Sequence, residues 1–87
     1  MEFGEHFEVF VQVSRSDGEP MQASLRFDAR MPEHGHGMNR EPKIESQGPG
    51  EFRVSGLLFH MPGYWELYFD WTRAAITERA QVSVDVD

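Results

Sequence analysis

The chain of 87 residues contains no cysteine. A disulfide framework and a thiolate metal site are therefore both excluded, and a soft metal would have to be held by methionine thioethers and histidine imidazoles. Basic residues are also few: 8 lysines and arginines stand against 15 aspartates and glutamates, for a formal net charge of -7. Because this balance repels phosphate backbones, we expect no binding to nucleic acid.

Long hydrophobic runs are missing as well. No apolar stretch approaches the roughly 20 residues that a membrane-spanning helix needs. The opening MEFGEHFEVF lacks the basic and apolar segments of a secretory signal peptide. We therefore expect a soluble chain without a membrane span. The hydrophobic fraction of 39% and the aromatic fraction of 13% favour a folded protein, and the length favours a single domain over residues 1–87.

Apolar and polar residues alternate along most of the chain, with the period of two that is typical of half-buried strands. The alternating segments are FEVFVQV (7–13), ASLRFDARM (23–31), EFRVSGLLFH (51–60), YWELYFDW (64–71) and ERAQVSVDVD (78–87), with a weaker strand at KIES (43–46). Turn sequences such as SDGEP, QGPG and MPG separate them. The pattern predicts an all-β fold, an immunoglobulin-like antiparallel β-sandwich of six to seven strands, with a small barrel as the alternative.

Two local features leave alternatives open. The segment TRAAITERAQ (72–81) would suit a short helix, but we expect a loop leading into the last strand because 76–86 carries a strand pattern. In EFRVSGLLFH, Phe52, Val54 and Leu58 are expected to face the core, and His60 would continue that series. A bulge at Gly56 would instead turn His60 outward.

Strand direction brings two distant loops together. Counting KIES (43–46) as the third, the second predicted strand is 23–31 and the fourth is 51–60. If antiparallel strands alternate in direction, these two strands end at the same pole of the sandwich. The loop RMPEHGHGMNREP (30–42) and the turn after His60 then share that pole, while the loops at 14–21, 47–50 and 72–77 share the other. The candidate metal ligands at this pole are Met31, His34, His36, Met38, His60 and Met61. His6 and Met21 are expected to lie elsewhere.

This ligand chemistry favours copper. Thioethers select Cu(I), and imidazole binds Cu(I), Cu(II) and Zn(II). The glycines of HGHGM would let His34, His36 and Met38 converge on one ion, and we rank the two histidines first. The alternatives are an ordinary polar loop, a backbone-bonded His60, and packing roles for Met31 and Met61.

Enzyme motifs are absent: there is no Gly-x-Ser-x-Gly, no phosphate loop and no His-Glu-x-x-His. We therefore expect a non-enzymatic domain, and an enzyme built on the His34–His36 pair is the weakest option. The competing class is a metal-free immunoglobulin-like interaction module that docks a partner through Tyr64 and Tyr68 on an outward strand face.

The segments SDGEP, RMPEHGHGM and GPGEFRVSGLLFHMPGYWELYFD, which lie between Ser16 and Asp70, resemble the YtkA-like family of small exported domains associated with copper handling. The resemblance implies an immunoglobulin-like sandwich, a periplasmic or extracytoplasmic location, and a role in copper binding or delivery. A copper donor or acceptor protein would then be the partner. Carried over by position, the resemblance selects Met31, His34, His36, Met38 and Met61, with His60 adjacent.

Overall fold

The computed structural model describes residues 4–33, 35–37 and 41–87, with only the backbone of His36. Its strands are β1 (His6–Gln12), β2 (Ser24–Met31), β3 (His36–Gly37), β4 (Lys43–Gly48), β5 (Glu51–Leu58), β6 (Gly63–Arg73) and β7 (Ile76–Val86). They form a three-stranded sheet, β1-β5-β4, and a four-stranded sheet, β3-β2-β6-β7, and every pairing is antiparallel. The predicted all-β sandwich is confirmed.

One hydrophobic core lies between the two sheets. The residues of β2 predicted to face inward are buried, as are Trp65, Leu67 and Phe69 of β6, and they meet the apolar face of β5. Trp71, also predicted to face inward, is only partly buried. Trp65 on β6 and Phe59 just after β5 are both fully buried, and their ring centroids lie 4.9 Å apart. Since aromatic side chains bury large areas, this pair is a principal link between the sheets at one end of the core.

The β5 strand contains the bulge that Gly56 made possible. Gly56 has a φ of +73°, and the pairing of β1 with β5 shifts between Phe7, which lies opposite Leu57, and Val9, which lies opposite Val54. The extra residue reverses the facing of everything after it. Leu57 is fully buried and Leu58 is partly exposed, so the prediction that Leu58 faces the core is wrong.

The β6 and β7 strands form one long hairpin, so the helix considered for 72–81 is wrong and the expected loop is much shorter than 72–77. Only Ala74 and Ala75 lie between the strands, with φ values of +48° and +68°. Two successive positive φ values are typical of a type I′ turn, whose twist matches that of the flanking strands. The alternation of side chains expected for the last strand is present in β7, after this turn.

The two predicted poles exist. A Cβ built on Gly63 would lie 2.8 Å from the Cε of Met31, so the end of β2 meets the start of β6. At the other end, Gly50 packs against the backbone of Val13 and Met21. The unpredicted β3 runs antiparallel to β2 and therefore away from the first pole, which is also the direction of β4. β3 therefore adds no reversal of chain direction between β2 and β4, and the inference that β2 and β5 end at the same pole still holds.

Candidate functional site

We define the His/Met pole as the end of the sandwich where β2 and β5 finish and the 59–62 turn leads into β6. Trp65 is its floor. The indole Nε1 of Trp65 donates a hydrogen bond to the carbonyl oxygen of Met61, with the two atoms 3.0 Å apart. A buried indole N–H without an acceptor would cost free energy, so this bond fixes the turn over the ring.

His60 lies beside the same ring. Its imidazole packs edge-on against Trp65, with ring centroids 5.6 Å apart and an interplanar angle of 81°. The β5 bulge turns His60 out of the core series that Phe59 completes, and the residue is only partly buried. His60 therefore belongs to the rim of the His/Met pole rather than to the core.

The two described methionines of this pole differ in exposure. Met31 is 1% exposed, and its methyl group fills the space that the missing side chain of Gly63 leaves. Met61 is partly buried and packs against the edge of the core. In this arrangement Met31 acts as a packing residue, whereas Met61 is the thioether nearer to solvent.

The predicted loop after Met31 folds back on β2 as a tight hairpin. Gly35 has a φ of +67°, with open space where its Cβ would be. The backbone of His36 then pairs with Met31, and that of Gly37 pairs with Arg30. This places His36 directly beside the end of β2. His34 and Met38 lie outside the described residues, so their roles stay predictions.

The sequence interpretation missed one histidine at this pole. His6 opens β1 and lies opposite Leu58, and the amide of Gly4 donates to the carbonyl of Phe59 over 2.7 Å. The expectation that His6 lies elsewhere is therefore wrong, because β1 begins where its antiparallel partner β5 ends. Met21 does lie at the opposite end, against Gly50.

Carboxylate and imidazole groups alone do not form a metal site in the described part of the chain. Among residues 4–33, 35–37 and 41–87, no three histidine, cysteine, aspartate or glutamate side chains are grouped to hold an ion. The thioethers of Met31 and Met61 are the further donors that the described part of this pole offers to a copper ion.

The tyrosines of the competing interpretation are bound into the outer face of the larger sheet. The hydroxyls of Tyr64 and Tyr68 donate to the carboxylate of Glu66 over 3.1 and 2.7 Å, and Gln81 donates to it over 2.6 Å. The bond to Glu66, followed by desolvation, raises the pKa of Tyr68 above its ordinary 10.0. Arg79 stacks on the Tyr68 ring at 4.9 Å. Both hydroxyls are thus already engaged within the domain.

Comparison with known proteins identifies the family. The family model described as YtkA-like matches residues 2–70. The chain belongs to the YtkA-like family. The match includes all six candidate ligands of this YtkA-like domain and ends before β7 begins. No curated protein and no solved structure matched the chain.

Within the ranges that the structure describes, no helix has the length and apolar character required to cross a bilayer.

Proposed function

We propose that this YtkA-like domain is a non-enzymatic copper-binding module of the periplasmic or extracytoplasmic space, which exchanges copper with a donor or acceptor protein. The observation that carries the proposal is the contact of Met31 with Gly63. It brings the start of the histidine-rich loop and the His60–Met61 turn to one pole, although they lie about thirty residues apart in the sequence.

The donor set at this pole suits copper. Histidine and methionine supply nitrogen and soft sulfur, and the chain has no thiolate that would favour a structural zinc site. Met61 and His60 occur on a turn that the Trp65 bond holds in place, so the backbone that carries two donors is fixed before the ion arrives. Preorganised donors lose less conformational entropy on binding. The loop residues His34, His36 and Met38 would complete the coordination. Met31 ranks last among the candidate ligands because its side chain is buried.

The location of the site suits transfer rather than permanent retention. His60 and Met61 lie on a turn, and Met31 and His36 lie at strand ends, all at one end of the sandwich, where a second protein can approach without disturbing the sheets. The net charge of -7 also favours the approach of a cation through long-range attraction. Both features are expected of a module that receives copper from one protein and passes it to another.

The proposal is tested by copper titration monitored through Trp65. The chain has two tryptophans, and Trp71 lies six residues farther along β6, roughly 20 Å away at about 3.3 Å per residue. In a Trp71→Phe variant, the emission reports on the His/Met pole alone. We expect saturable quenching at one copper per chain, and a rise in Tm that grows with free copper.

Variants decide where the copper binds. In the Trp71→Phe background, His34→Ala with His36→Ala should abolish the quenching, and Met61→Ala should weaken it. Met21→Ala is the matched control, since Met21 lies at the opposite pole. If neither quenching nor a Tm shift appears at neutral pH, or if the histidine variants bind copper unchanged, the copper proposal fails and the metal-free interaction module takes its place.

A further inference from the structure

The outer edge of β7 is open in the described part of the structure, where β7 pairs only with β6. Because the hairpin has a two-residue turn, its closing pair, Arg73 and Ile76, exchanges hydrogen bonds, and the same alternation continues along the ladder. The even-numbered residues of β7 therefore bond to β6. The odd-numbered residues direct their N–H and C=O groups to the open edge.

This edge lacks several of the features that usually prevent strand-to-strand association. Natural edge strands are protected by shortness, proline, charged side chains (lysine above all), inward-pointing charges or bulges. β7 is 11 residues long, contains no proline, glycine or lysine, and pairs with β6 without a register shift. Its charged residues are Glu78, on the core side, and Arg79 and Asp85, on the outer side. Between Arg79 and Asp85 it offers a regular template for another strand.

An apolar side chain on β7 is also uncovered. Val82 is 47% exposed, although it lies on the same side of the strand as the partly buried Ala80 and Val84 and the buried Val86. The sheet facing β7 has three strands, one fewer than the sheet to which β7 belongs. A neighbouring strand with apolar residues on the same side would cover Val82.

We propose that the occupant is a second copy of this chain, with the two β7 strands paired antiparallel about a two-fold axis at Val82. The larger sheets of the two copies would join into one continuous eight-stranded sheet. In this register Val82 lies opposite Val82 of the second copy and Ala80 lies opposite Val84. On the outer side, Gln81 lies opposite Ser83 and Arg79 lies opposite Asp85.

Charge complementarity selects this register. A two-fold axis at Val82 brings Arg79 and Asp85 into opposition twice, and opposite charges facing each other across strands are stabilising. Within each copy Asp70 already binds the Arg79 guanidinium through two hydrogen bonds, so Asp85 of the second copy would add a second carboxylate to that ion pair. Moving the axis to Gln81 removes these pairs, whereas Glu78 lies opposite a valine in both registers, Val86 with the axis at Val82 and Val84 with the axis at Gln81. With the axis at either residue, odd-numbered residues, which are the ones with unused backbone groups, pair with odd-numbered residues. Such a self-complementary strand is the isologous contact of a two-fold dimer.

The test is sedimentation velocity on the full chain with a copper chelator present, because copper shared between two His/Met poles would also give dimers. We expect a dimer fraction that rises from micromolar to millimolar chain concentration. Val82→Glu should raise the dimer dissociation constant by about tenfold or more, since it buries two like charges at the axis. Phe10→Glu is the matched control: Phe10 is 70% exposed on β1 of the other sheet and should leave the constant unchanged.

Hydrogen exchange supplies a second readout that loss of folding would not imitate. The amides of Arg79, Gln81, Ser83 and Asp85 should gain protection as the chain concentration rises, and Val82→Glu should remove that gain while the β6 amides stay protected. The proposal is overturned by a monomer at all concentrations, by a dimer that Val82→Glu does not weaken, or by protection of these amides that is independent of concentration. The last result would mean that another segment of the same chain covers the edge.

Discussion

The Cε atom of Met31 lies 2.8 Å from the point where a Cβ would stand on Gly63. This contact lets the end of β2 and the start of β6 approach closely at the His/Met pole. A side chain at position 63 would be opposed above all by a φ of +132°, which side chains rarely tolerate, and it would also require the buried terminal methyl group of Met31 to shift.

Gly63→Ala should therefore lower the free energy of unfolding by about 2–3 kcal/mol, measured by denaturant unfolding. Gly18→Ala is the control, because its φ is +88° but a Cβ there would meet nothing within 4 Å. The control has the backbone strain alone, so it should cost about 1 kcal/mol. Equal losses in the two variants would show that Met31 does not restrict position 63.

The β6–β7 turn is strained, since Ala74 and Ala75 both have positive φ. Type I′ turns strongly prefer Asn-Gly, and alanine in the left-handed region costs about 1 kcal/mol. The double variant Ala74→Asn with Ala75→Gly should raise the free energy of unfolding by about 1 kcal/mol in the same assay. Ala80→Gly, within β7, should lower it. A destabilised Asn-Gly variant would contradict the type I′ turn.

The pKa of Tyr68 is raised by its hydrogen bond to Glu66, by desolvation and by the nearby negative charge. Because the folded pKa lies above 10.0, the neutral phenol stabilises the fold below pH 10.0, and this contribution is lost as pH rises through the folded pKa. In a Tyr64→Phe background, Tyr68 is the remaining tyrosine, so ultraviolet titration of tyrosinate reports on it alone. Glu66→Gln should lower that titration midpoint; an unchanged midpoint would exclude Glu66 as the cause.

Copper binding should depend on pH, because imidazole must be neutral to coordinate a metal. Affinity should fall as pH decreases through about 6.5, the ordinary histidine pKa. The dissociation constant from Trp65 quenching in the Trp71→Phe variant provides the measurement. His34→Ala with His36→Ala should remove the quenching at every pH. An affinity that is constant from pH 8 to about 5 would show that histidine does not coordinate the metal.

Much of the sandwich could be predicted from the period of two alone. The alternation of Trp65, Leu67 and Phe69 along β6 is confirmed, because one face of that strand is buried and the other is not. Which face of the sheet the β5 side chains after Gly56 occupy could not be settled in the same way. A glycine permits a bulge without requiring one, and the pairing with β1 decides the outcome.

The location of the candidate site could be predicted from the sequence, but not which residues lie there or how deeply each is buried. The alternating direction of antiparallel strands, which we call strand parity, predicted that Met31 and the His60–Met61 turn lie at one pole. The Met31–Gly63 contact confirms that placement. Parity did not reveal how deeply Met31 is buried, since the cause is the missing side chain of Gly63 on a neighbouring strand. It also missed His6, although the same rule, applied to β1 and β5, would have placed it there.

X-ray absorption spectroscopy of the copper-loaded protein tests the central claim most directly, because it counts sulfur and nitrogen ligands around the ion. A site at the His/Met pole predicts a mixed first shell of thioether sulfur and imidazole nitrogen, and Met61→Ala should reduce or replace the sulfur contribution. A first shell of oxygen and nitrogen alone, unchanged by Met61→Ala and by His34→Ala with His36→Ala, would contradict the account.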